Sequence, residues 1–289
     1  FPDASHAQLL ARHKAFDWIA VVDPVPEARA RAQAEWGVQQ CVADLKDLPG
    51  RDKIEAAVIA SPPGGRLAIL DALPSLRVVL AEKPLGRTAE EARGFIEACA
   101  GRDIVVQVNY WRRAVPAFRA LASGGLAEAV GEVQAGSGLY GNGLMNNGSH
   151  LIDFLRMLCG EIESIDGRGQ ARSAQASSVA DDTNVPCLLR LSNGANAALS
   201  PVDFSAWREV GLDIWGTSGR LSIWQEGLTM ARYPVAENRG LEHEMEIDSE
   251  SASVTKVDAR MALSTMYDSL AAAARGTGDL CCPGDEALK

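Results

Sequence analysis

An amine and an imidazole are the side chains of this chain best placed to do chemistry. Lys83 lies in VVLAEKPLG (78–86), where an apolar run ends in Glu82, Lys83 and Pro84. A lysine held between an acid and a proline at a strand end is rigidly placed. It can hydrogen-bond a substrate hydroxyl or tune a neighbouring base. The alternative is a surface Lys–Glu pair, contributing under about 1 kcal/mol. His150 lies in GLMNNGSHLIDFLRML (143–158). The helical stripe Leu151, Leu155 and Leu158 buries one face and puts His150 in the first turn, with Asp153 three residues on and on the same side. A helix N-terminus disfavours an imidazolium, so His150 is expected neutral and able to accept a proton. The alternative is a capping or core histidine. His6, His13 and His243 have no comparable setting.

Three further stretches suit ligands. Asp23 ends WIAVVD (18–23). An acid there can accept hydrogen bonds from an adenosine ribose, which favours NAD over a 2′-phosphorylated cofactor, with NADP as the other possibility. It is otherwise an ordinary turn residue before Pro24. Ser61, Pro62 and Pro63 end another apolar run in a tight bend past which a cofactor can lie. NYWRRAVP (109–116) brings Tyr110, Trp111, Arg112 and Arg113 to a domain junction, where they suit an anionic or sugar-like ligand or form a solvated linker.

The elements that must position these residues alternate in the first third. The runs at 18–23, 55–61, 77–84 and 104–110 are apolar throughout. Between them lie helical patterns at 26–37, ended by Gly37, at 66–73, and at 88–101, where Thr88 and Glu91 form a capping box and Gly101 a stop. Strands apolar on both faces, separated by amphipathic helices, predict a doubly wound parallel sheet that binds ligands at its strands' carboxyl ends. After about residue 115 the pattern changes. A helix at about 116–124 and the helix HLIDFLRMLCG precede strands joined by Asn193-Gly194 and GTSG turns, then a helix at 261–276. This predicts an α/β chain with a dinucleotide-binding domain at 1–112. An α+β domain at 113–289 follows, with a large, mostly antiparallel open sheet that suits a homodimer or homotetramer contact.

Bulk properties narrow the class. The 289 residues are 47% hydrophobic and 23% charged, as in soluble globular proteins. A net charge of −10 without a basic run argues against a nucleic-acid partner, and no apolar run reaches the ~18 residues of a membrane span. Six scattered cysteines lack metal-type spacing and read as reduced thiols of a cytoplasmic protein, with no metal. The glycine fingerprint of a dinucleotide fold belongs about 20 residues before Asp23, upstream of Phe1.

VVDP, AVIASPP, AEKPLGRTAEEA, VQVNYWRRAVPA and GSHLID, in this order and spacing, resemble the glucose–fructose oxidoreductase and inositol dehydrogenase family. The resemblance spans nearly the whole chain. It implies an oxidoreductase that transfers a hydride between NAD(P) and a secondary alcohol of a sugar, sugar derivative or cyclitol. It implies Lys83 as the catalytic-site lysine and His150 as the residue exchanging a proton with the substrate hydroxyl. Asp23, Ser61, Pro62, Pro63, Glu82, Lys83 and Arg112 would line the cofactor. Asn146, Asp153, Tyr110 and Arg112 would meet the substrate. His6 resembles the histidine that follows the glycine loop. Two positions depart from the family. Asn146 stands where many members place an aspartate four residues before the histidine, and Arg66 where a histidine often follows the proline bend. An NAD-dependent glycosidase using transient oxidation, or a ligand sensor on the same fold, are the competing readings.

Overall fold

The computed structural model describes residues 5–289. The chain divides into two compact units: the residues up to Ala114 together with Arg260–Lys289, and Val115–Ala259.

In the first unit, α1 (His6–Leu10) precedes β1 (Ala20–Val22), α2 (Pro26–Trp36), β2 (Gln40–Val42), β3 (Ala56–Ile59), α3 (Arg66–Ala72), β4 (Val78–Ala81), α4 (Ala89–Ala100) and β5 (Val105–Val108). All five strands pair in parallel, as expected of the four apolar runs; β2, with Gln40 in it, was not among those runs. They form two sheets, β1–β2 and β3–β4–β5, where the sequence predicted one. The expected first strand and its glycine loop lie outside the described residues. β4 is buried along its whole length, so the chain can reach solvent-side groups only past Ala81, at Glu82 and Lys83. Gly37 ends α2 in the left-handed conformation (φ 67°). The capping box at α4 is only half formed. Thr88 Oγ1 accepts from Glu91 N–H, but the Glu91 carboxylate accepts from Arg87 N–H, one residue before the cap. Gly101 is right-handed, and the left-handed residue after α4 is Asp103 (φ 53°).

The second unit opens with α5 (Pro116–Ala120) and α6 (Leu126–Val130), kinked apart at Ser123 and Gly124 where the sequence predicted one helix. Then follow β6 (Val133–Tyr140), α7 (Ser149–Cys159), β7 (Ile162–Gly167), β8 (Arg172–Ser173), β9 (Thr183–Asn184), β10 (Cys187–Leu191), β11 (Asn196–Pro201), β12 (Gly211–Gly216), β13 (Gly219–Trp224), β14 (Thr229–Glu237), β15 (Met245–Ile247) and β16 (Ser253–Lys256). Nine of these strands make one sheet, ordered β15-β14-β13-β12-β6-β11-β10-β7 with β16 also on β14. Every pairing is antiparallel except β6–β11. The Asn193-Gly194 and GTSG turns join β10 to β11 and β12 to β13 as predicted.

The chain then returns to the first unit through α8 (Ala262–Ala274) and α9 (Gly284–Leu288). The sequence reading placed this stretch with the second domain, because helical periodicity reports an apolar face but not what it meets. Leu263, Tyr267 and Leu270 of α8 pack with Leu9, Val78 and Leu80. Gln107, fully buried in β5, fastens the return. Its Nε2 donates to the Met266 carbonyl, and its Oε1 accepts from Ser269 Oγ and Cys281 N–H. All six cysteines are free thiols, and burial pushes Cys99 up to about 11 and Cys159 to about 12. No helix among the described residues is long and apolar enough to cross a membrane, and no group there of three or more His, Cys, Asp or Glu could hold a metal.

Candidate active site

Glu82 and Lys83 follow β4 directly, at the carboxyl end of the three-stranded sheet. Their backbone is held by Arg66, the first residue of α3. One guanidinium nitrogen donates to the Leu85 carbonyl at 2.8 Å and another to the Glu82 carbonyl at 2.7 Å, bracketing Lys83 and Pro84. Arg66 is 3% exposed and lies over the Phe95 ring. Arg66 is thus a clamp on the lysine turn. Lys83 itself is half-buried, and its bond to Pro84 is cis.

The Glu82 carboxylate is fixed as firmly. Oε1 accepts from His6 Nε2 at 2.8 Å and from Asn109 Nδ2 at 2.6 Å. Because the carboxylate accepts, His6 carries a proton on Nε2, and Nδ1 faces the Tyr267 hydroxyl at 2.8 Å. The sequence reading gave His6 no such setting, since its partners come from the end of β4 and from α8. Burial alone would raise the Glu82 carboxyl. The hydrogen bonds from His6 and Asn109, with the charges of His6 and Lys83, overcome it and hold the group below its ordinary value. A carboxylate depressed in the folded state stabilises the fold fully above its unfolded value. That contribution is lost as pH falls through the lower folded value. Replacing Glu82 by Gln is therefore expected to flatten the fall of thermal stability below the ordinary carboxylate range. Melting curves across that range check this; an unchanged acid slope would show that the network stores no linkage.

The other residues expected near a ligand are placed as follows. Asp23 follows β1; its Oδ1 accepts from Val25 N–H at 2.8 Å, in the turn role that was the alternative for it. Ser61 and Pro62 are exposed and Pro63 half-buried, in a turn that continues through Gly64 and Gly65 to α3. Tyr110 and Arg112 are buried, the Arg112 guanidinium 4.5 Å from the Trp111 ring centroid. NYWRR is thus not a solvated linker: Trp111–Ala114 is a helical turn of the first unit, and Arg113 pairs with Glu286 of α9 at 3.2 Å.

In the second unit, His150 and Asp153 lie one turn apart on α7, His150 half-buried and Asp153 buried. The helix begins earlier than predicted. A π-helical turn, Leu144–Gly148, runs into α7 through right-handed backbone at Gly148 and Ser149. His150 therefore lies beyond the first turn of helical backbone, where the positive end of the helix has less hold on it. Asn146 is buried in that turn. Its backbone, with that of Met145, is bound by Asp182, a residue absent from the sequence reading.

Two family models match the chain: the oxidoreductase family's NAD-binding Rossmann fold over residues 2–110, and the GFO/IDH/MocA C-terminal domain over residues 128–222. The chain belongs to the GFO/IDH/MocA oxidoreductase family. It is thus an oxidoreductase with an NAD-binding Rossmann fold. Among its relatives is the rhizopine catabolism protein MocA of Rhizobium meliloti, 25% identical over 74% of this chain and 72% of that protein. Another is an inositol 2-dehydrogenase of Rubrobacter xylanophilus, 29% identical over 71% of this chain and 63% of that protein. A levoglucosan dehydrogenase solved with NADH shares the fold, with a TM-score of 0.76, 18% identity and coverage of 100% of this chain and 91% of that one.

The residues of this family member fit its cofactor. At the carboxyl end of β5, Asn109 Oδ1 is buried without a hydrogen-bond partner among the described residues, while its amide nitrogen is committed to Glu82. A buried acceptor left this way suits a donor from a ligand, and a carboxamide N–H is such a donor.

Proposed function

We propose that the chain oxidises a secondary hydroxyl of a sugar, sugar derivative or cyclitol, with Lys83 and His150 as its catalytic residues. Bound NAD supplies the hydride acceptor. Asp23 would bind the ribose, the Ser61–Pro62–Pro63 turn and Glu82 would flank the cofactor, and Arg112 would support it from NYWRR. His150 takes the hydroxyl proton as the hydride leaves. Lys83 donates a hydrogen bond to the substrate oxygen and stabilises the negative charge that develops there. Asn146, Asp153 and Tyr110 orient the substrate. The observation that carries this reading is the clamped Glu82–Lys83 turn at a strand's carboxyl end. Arg66 holds the backbone of this turn, and His6 and Asn109 hold the Glu82 carboxylate, which supports a ligand-facing role for the neighbouring Lys83. The sugar or cyclitol class is supported by the relatives named inositol 2-dehydrogenase and levoglucosan dehydrogenase.

The test is oxidation of a panel of cyclitols, anhydrosugars, sugars and nucleotide sugars with NAD. Accumulating NADH supports the reading. Cleavage of a glycoside without net NADH would instead identify a glycosidase, and NAD binding without turnover on any of them a sensor. We also propose that the enzyme acts in the cytoplasm as a homodimer or homotetramer through its open sheet. Exposed Ile165, Met245 and Val254 on the outer strands β7, β15 and β16 support the association. Light scattering of the purified chain tests it, and a monomer would end that part of the proposal.

A further inference from the structure

The helix that carries Asn146 and His150 starts without a capping side chain. Its first helical residue is Leu144, and the residue before it is Gly143 (φ 98°, ψ 143°). An N-cap side chain ordinarily binds the N–H groups two or three positions into a helix. Here those groups belong to Met145 and Asn146, and both donate to Asp182: Met145 to Oδ1 at 3.0 Å, Asn146 to Oδ2 at 3.0 Å. Asp182 is 5% exposed. The rest of its capacity is filled by Ser177 Oγ on Oδ2 at 2.8 Å and Thr183 N–H on Oδ1 at 2.9 Å. Asn184 adds a fifth tie, accepting from Gly143 N–H at 2.9 Å. A Cβ at Gly143 would overlap the Asp182 carboxylate. The distant acid occupies the space in which a local cap would lie.

From this geometry we infer that Asp182 is a positioning residue for His150, capping from outside the helix the turn that sets where the imidazole points. The inference rests on the proposed role of His150. The turn it caps is π-helical, with Asn147 and Gly148 N–H both donating to the Gly143 carbonyl. Such a turn holds one residue more than an α-helical one. A slip to α register would swing every later side chain by roughly 100° about the axis. A carboxylate that binds two successive N–H groups resists this slip, and its charge lies at the positive end of the helix dipole. Asp182 thus acts on direction as well as stability.

Two variants attack the clamp from opposite sides. Asp182→Asn keeps shape, but whichever way the amide turns, one pair of donors meets an NH₂. Gly143→Ala leaves every charge in place and pushes a methyl into the carboxylate. In both, amide exchange at Met145 and Asn146 is expected to quicken at least about tenfold, and the NMR ring resonances of His150 to move. On the panel compound that the wild type oxidises, kcat should fall by roughly ten- to a hundredfold with the KM for NAD unchanged. Should Asp182→Asn not fold, Ser177→Ala weakens the same carboxylate's hold by one bond and is expected to give the same changes in smaller measure. Wild-type His150 resonances and kcat in folded variants would overturn the inference, however fast the amides exchange. A wild type that oxidises nothing on the panel counts against the proposed function alone; the His150 resonances then decide whether Asp182 directs the ring.

Discussion

Lys83→Met is expected to lower kcat by about 10²–10⁴ while NAD affinity stays within about twofold. The reason is local. Methionine keeps most of the unbranched stem and loses the ammonium. The turn that presents it is held by groups the substitution does not touch: Arg66 on the carbonyls of Glu82 and Leu85, and His6 and Asn109 on the Glu82 carboxylate. The backbone should therefore stay in place while the hydrogen bond to the substrate oxygen disappears. That bond matters most when the oxygen gains negative charge, so its loss belongs to the chemical step rather than to binding. Steady-state kinetics on the panel compound the wild type oxidises, with NAD titrated by quenching of tryptophan fluorescence, separates the two. An unchanged kcat would remove Lys83 from the reaction. A large loss of NAD affinity with kcat retained would make it a cofactor ligand instead.

What was legible in the sequence follows the range of the interactions involved. Strand β4 could be read because burial on both faces leaves a continuous apolar run, and Glu82-Lys83-Pro84 breaks it at the residue where the strand ends. The Asn193-Gly194 hairpin could be read because its turn chemistry is local. Motif order and spacing carried the family. The supports of the site could not be read, since they join residues far apart in the chain: His6 to Glu82 and Tyr267, Arg66 to Leu85, Gln107 to the segment after Met266. Periodicity gave α8 an apolar face without saying that β4 would receive it, so the return of Arg260–Lys289 to the first unit went unseen. Asp182 left no trace, because the helix start it caps, at Leu144 rather than near His150, was itself not read from the sequence. Which acid caps that start is a fact of the fold.

His150→Asn is expected to reduce kcat/KM by about 10²–10⁴ and to change its pH profile. In the wild type, an imidazole that accepts the hydroxyl proton must itself be unprotonated, so kcat/KM falls on the acid side. Asparagine can still hydrogen-bond a hydroxyl but cannot take its proton. The remaining rate should then follow hydroxide rather than a side chain, with the original acid limb gone. This distinguishes a base from an orienting group, for which both the limb and most of the rate would survive. The distinction has weight in this chain because two supports for proton uptake differ from expectation. Asn146, four residues before His150, is an uncharged amide. The helix start lies at Leu144, so the ring sits past the first turn. The second change also favours the role. A start farther from the ring opposes an imidazolium less, and the ring must become one when it takes the proton. What Asn146 lacks in charge, Asp182 answers only in position, through the backbone of the same turn. His150→Asn should therefore lose the proton transfer, whereas Asp182→Asn should keep the acid limb at a lower plateau. An acid limb retained in both variants would mean that His150 does not take the proton.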